Sequence, residues 1–112
     1  MRSEKYRQLI DRLIAKTDRR ELAWKEGVYP DSFQVAFPNY SLTIMQRQDD
    51  RDEIFLEMSI INSDGYTIDR FSEFDLEQDY HNKLYGLYHE ARRQALSVDK
   101  ALDEILIALE DY

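Results

Sequence analysis

Four side chains in the second half of the chain, His81, Tyr85, His89 and Arg92, have types and spacings that could do chemistry. They recur at steps of four, four and three residues, so a helix would line them along one flank. Such a line offers imidazole, phenol and guanidinium groups to an anionic ligand. The two histidines are separated by about 12 Å on a helix, too far apart to share one metal ion, since a metal-binding helix spaces them i, i+4. The single tryptophan could complete a pocket, which makes Trp24, Tyr85, His89 and Arg92 the candidate ligand-binding set of a small-ligand sensor or enzyme. The plainer reading is structural. It places the histidine line on the polar border of a packed helix and makes Trp24 a packing anchor.

No stronger chemical signature stands beside these residues. The three glycines form neither a P-loop nor a dinucleotide fingerprint, and no serine sits in a nucleophile elbow. With 23 acidic residues, chance pairs such as Glu57 and Asp69 are unavoidable and carry no acid–base meaning without geometry. Cysteine is absent, which removes thiol nucleophiles, disulfides and cysteine metal ligands. No catalytic residue, metal site or cofactor is assigned, and the sequence speaks against an enzyme.

The elements that would position these residues are better marked. Tyr6, Leu9, Ile10, Leu13 and Ile14 make a helical stripe from about Glu4 to Thr17, with Ser3 as its cap. Residues 18–31 read as a short helix or an extended edge segment. From Ser32 to Phe71 the apolar period is two, as in strands. A Pro38-Asn39 corner pairs Phe37 with Tyr40, Val35 with Leu42 and Phe33 with Ile44. A three-residue loop, Ser63-Asp64-Gly65, pairs Asn62 with Tyr66 and Ile60 with Ile68, keeping apolar residues opposite one another. The period then returns to that of a helix. Tyr80, Leu84, Leu87, Tyr88, Ala91 and Ala95 form one stripe, with Gly86 suggesting a close contact. After a break at Leu96-Ser97, with Ser97 as the cap, Val98, Ala101, Leu102, Ile105, Leu106 and Leu109 form a second stripe facing inward.

The expected architecture is a single α+β domain over residues 1–112. A four-stranded antiparallel β-meander has one face covered by an N-terminal helix and two C-terminal helices, in the order α-β-β-β-β-α-α. Its other face would display Met45, Phe55, Ile61 and Phe71 as a partner-binding patch.

Bulk properties narrow the class. The 112 residues are 43% hydrophobic, enough for one unassisted core. No apolar run approaches the roughly 20 residues of a membrane span, and the N-terminus lacks a signal peptide's apolar stretch. The net charge of −8 opposes direct nucleic-acid binding. These features point to an acidic cytoplasmic protein-interaction or regulatory module, contacting a protein partner or itself as a homo-oligomer, with no membrane association. An acidic decoy of a nucleic-acid-binding protein is a further alternative.

Overall fold

The computed structural model describes residues 2–111. Helix α1 (Arg2–Asp18) leads into strands β1 (Lys25–Glu26), β2 (Ser32–Ala36), β3 (Tyr40–Gln48), β4 (Ile54–Asn62) and β5 (Thr67–Ser72). A single 3₁₀ turn (Glu73–Asp75), helix α2 (Gln78–Ala95) and helix α3 (Val98–Glu110) follow. The strands form one antiparallel sheet in sequence order. The expected α+β class and element order hold. The ambiguous connection contributes a short edge strand, Lys25–Glu26, which makes five strands where four were expected. Ser3 lies inside α1 and does not cap it.

The first hairpin has the expected register. Val35 faces Leu42 and Phe33 faces Ile44, and the Phe37 N–H donates to the Tyr40 carbonyl at 2.7 Å. The second hairpin keeps the expected three-residue loop. Gly65 takes φ +88° there, a conformation that glycine adopts without penalty, and the Asn62 N–H donates to the Tyr66 carbonyl at 2.9 Å.

Beyond that loop the expected register fails. Ile61 faces Thr67 but Ile60 faces Asp69, with a bulge at this point that leaves Ile68 as the extra residue of β5. A one-residue shift reverses which face each side chain meets. Ile68 is therefore exposed, while Phe71 pairs with Met58 and enters the core; Tyr66, ahead of the bulge, is exposed as well. There Phe71 stacks on Tyr6 with ring centroids 3.9 Å apart and planes 13° apart. Asp69, turned to the helix side, accepts a hydrogen bond from the Tyr6 hydroxyl at 2.8 Å. The bulge turns Ile68 out and brings Asp69 and Phe71 to the helix side.

Helices α1 and α2 run in the same direction across the inner face. Tyr6, Ile10 and Leu13 of α1 and Leu84, Leu87, Tyr88 and Ala91 of α2 are buried against Phe33, Val35, Leu42, Ile44, Leu56, Met58 and Phe71. Polar ties join the helices at their surface. Tyr80 and Lys83 both donate to Asp11, at 2.7 and 3.2 Å, and Gln94 donates to the Thr17 carbonyl at 2.8 Å.

The third helix departs most from expectation. Helix α3 covers no part of the sheet, and none of its residues is buried. Ser97 breaks the chain with φ 53° and makes no side-chain cap. The radius of gyration, 15.7 Å, exceeds the about 13 Å of a compact domain this long. Its neighbour α2 differs from expectation at one position. Gly86 marks no close contact, because a Cβ built there meets nothing within 4 Å. Gly86→Ala should therefore stabilise the fold by about 0.5–1 kcal/mol, read as a higher urea midpoint with an unchanged slope.

Candidate functional site

The structure does not assemble the ligand-binding set expected from the sequence. Trp24 is buried, and its indole N–H donates to the Thr17 hydroxyl at 3.0 Å, which is the packing-anchor role. His89 is exposed at the surface of α2, with its ring edge-on to Tyr88 at 5.6 Å. Arg92 is likewise exposed. Tyr85 points elsewhere, donating to Glu73 at 3.0 Å. Among the described residues, the four main surface recesses are lined by none of these side chains.

Tyr85 instead belongs to a cluster that the sequence did not reveal. Glu73 opens the 3₁₀ turn, where Ser72 and Asp75 form a reciprocal capping box. β4 continues past the end of β5, so the Leu56 N–H has no strand partner on that side. The buried Glu73 carboxylate accepts it at 2.9 Å. Oε1 also accepts from the Tyr85 hydroxyl, while Oε2 lies 3.9 Å from His81 Nδ1. The His81 Nε2 sits 3.3 Å from the Leu76 carbonyl. Burial foremost, then the hydrogen bond to Glu73 and that carboxylate's charge, push the Tyr85 phenol above its usual value, keeping it a donor. The cluster closes the end of a strand. Only the Ser72-x-x-Asp75 spacing, a capping signature, hinted at it.

The outer sheet face places Met45, Phe55 and Ile61 on one side, all half-buried, whereas Phe71 lies in the core on the other. Polar residues interrupt the three. Thr43 pairs with Gln34 and Ser59, and Ser59 with Arg70. Glu57 accepts from Arg47 at 3.0 Å and lies 3.5 Å from Arg70. The Tyr29 loop walls a recess of about 150 Å³ over this floor. The face is a mixed surface and not a contiguous apolar patch.

The contiguous apolar surface lies on α3. Leu102, Ile105, Leu106 and Leu109 are 47%, 55%, 61% and 58% exposed. On a helical wheel they form one stripe with Val98, bordered by Asp103 and Glu110 on one side and by Ala101 and Ala108 on the other. The first turn is held in place. Asp99 accepts from Arg20 at 2.7 Å and from Arg93 at 2.6 Å, tying α3 to the end of α1 and to α2. Those two hydrogen bonds hold the Asp99 carboxyl below its usual value. Sequence reasoning found this stripe but assigned it to the core.

Among the described residues no group of three or more His, Cys, Asp or Glu side chains could hold a metal ion, and no helix is long and apolar enough to cross a membrane. No family model, curated protein or solved structure matches the chain.

Two expectations follow from this geometry. Glu73→Ala orphans the Leu56 N–H and should cost about 1–3 kcal/mol, whereas Tyr85→Phe should cost about 1 kcal/mol or less; urea unfolding of both variants checks the order. For Asp99 the folded pKa is depressed, so its ties persist as pH falls from 7 and are lost only on crossing that lowered value, below the ordinary 3.8. With no native cysteine, dyes at Glu104→Cys and Ser63→Cys should report constant energy transfer between pH 7 and about 4.5. Arg20→Ala with Arg93→Ala should broaden the distance distribution at every pH.

Proposed function

We propose that the chain is a protein-interaction module and that α3 is the element it presents to its partner. One observation carries this reading: a thirteen-residue amphipathic helix with no buried residue, bearing four large aliphatic side chains at about half exposure or more. Scattered exposed leucines are ordinary, but a continuous stripe on a helix is the form in which helix-in-groove recognition presents its anchors. Full burial of a leucine or isoleucine is worth about 1.5–3 kcal/mol, so completing the burial of each half-exposed one contributes about 1 kcal/mol.

The anchoring of Asp99 supports the same reading. Two charge-assisted bonds fix the direction of α3, so less orientational freedom is lost on binding than from a loosely hinged helix. The outer sheet face lacks an uninterrupted apolar surface, and the Trp24, Tyr85, His89 and Arg92 side chains do not converge on a pocket. Neither feature offers comparable support for the patch or the ligand site expected from the sequence.

Leu102→Asp with Leu106→Asp alters side chains outside the core, so circular dichroism and urea midpoint should stay near those of the parent chain. The same variant should lose the proteins retained by the tagged parent chain and any self-association. Phe55→Glu, on the sheet face, should keep both. A folded α3 variant that binds as the parent does would refute the proposal, and loss confined to Phe55→Glu would move the surface to the sheet.

A further inference from the structure

Resting on the reading of α3 as the binding element, we propose that its partner is a second copy of this chain, each α3 seating in a groove on the other copy's α1. The groove is a recess of about 220 Å³ lined by Leu9, Leu13, Leu22 and Phe37, with Arg12 and Lys16 on its α1 side. Phe37 is 39% exposed there, and Leu9 and Leu22 are only partly covered. The chain's own α3 does not fill the recess, since none of its residues is buried.

Charge and shape both select this pairing. Helix α3 carries four acids and one lysine. Two of those acids, Asp103 and Glu110, lie seven residues apart along one border of the stripe, while the small Ala101 and Ala108 make the other. The groove has the complementary asymmetry: a cationic edge on α1, one turn from Arg12 to Lys16, and an apolar edge of Leu22 and Phe37. Among the described residues Arg12 makes no ion pair, while Lys16 pairs with Glu21 at 2.9 Å. Seating the acidic border against Arg12 and Lys16 lays the alanines on the Leu22–Phe37 side.

The competing arrangements are weaker on the same grounds. The larger recess between α1 and α2, about 330 Å³, is walled by Asp18, Glu90 and Lys83; Lys83 is already paired with Asp11 at 3.2 Å, which leaves two carboxylates facing an acidic helix. Antiparallel stripe-on-stripe packing of two α3 helices brings their acidic borders together. A standard stable interface takes about 800 Å² from each partner, more than one face of a thirteen-residue helix supplies. A twofold exchange counts helix and groove on both copies, and symmetric closure prevents open-ended assembly.

Sedimentation velocity tests this with two charge-reversed proteins. The parent chain should be dimeric at tens of micromolar, and Arg12→Glu/Lys16→Glu and Asp103→Lys/Glu110→Lys should each weaken the dimer by roughly tenfold or more. Mixed in equal amounts, the two variants should form a heterodimer, because both contacts are then again oppositely charged. That recovery also shows that both variants are folded. A monomeric parent chain, a mixture that stays monomeric, or a tighter dimer from Asp103→Lys/Glu110→Lys alone would each overturn the exchange, the last in favour of α3 against α3. A monomer that still retains another protein through Leu102 and Leu106 would leave α3 as the binding element and remove only the second copy as its partner.

Discussion

Five strands span about 19 Å across a sheet, from four spacings of about 4.8 Å, and packed helices sit about 8–10 Å apart. Two helices side by side therefore fill one face. In this chain α1 and α2 take those places, running in the same direction and burying Ile10, Leu13, Leu84 and Leu87 against the strands. A third helix has no sheet left to cover. The left-handed turn at Ser97 and the Asp99 ties to Arg20 and Arg93 set where it goes. An apolar stripe with the pattern of one more core element becomes surface.

This also explains why the stripe's destination was hidden in the sequence while the stripe was plain. Periodicity reports that one side of a helix is apolar; it contains nothing about which surface answers it. The meander was legible for the opposite reason, since strand partners lie nearby in the chain and the alternation of Phe33, Val35, Leu42 and Ile44 admits one register. The bulge at Ile68 escaped because the local pattern favours pairing Ile60 with Ile68. What overrules it is nonlocal: the Phe71 ring stacked on Tyr6, more than sixty residues away in sequence, with Asp69 held by the same tyrosine. A contact of that range cannot be read from a window of neighbouring residues.

The polar clusters show the same division. Trp24 was legible as a packing residue because an indole carries a large apolar body and one donor, and Thr17 supplies the acceptor. Glu73 was not, being one carboxylate among 23 acids. Its importance arises from a strand N–H at Leu56 left without a β5 partner, because the pairing with β5 ends at Glu57 while β4 extends three residues further, to Ile54. A buried polar group needs a partner, and the residue that follows β5 is the one within reach. His81 and Tyr85 then gather around that carboxylate as supports, which removes them from the anionic-ligand line that their spacing suggested.

An exposed aliphatic stripe invites indiscriminate association unless something restricts its partners. In the proposed exchange the restriction is electrostatic. The whole chain carries −8, and α3 is acidic beside its apolar face, so approach to most of the surface of another copy is repelled. The α1 edge, where Arg12 and Lys16 border an apolar recess, is cationic instead. Specificity is a difference between affinities, and repulsion from the wrong surfaces contributes to it as fully as attraction to the right one. The acidity that opposes nucleic-acid binding thus acquires a second consequence. It narrows the surfaces the apolar helix can touch, and the α1 groove, with its cationic edge and apolar lining, matches the helix in both charge and shape.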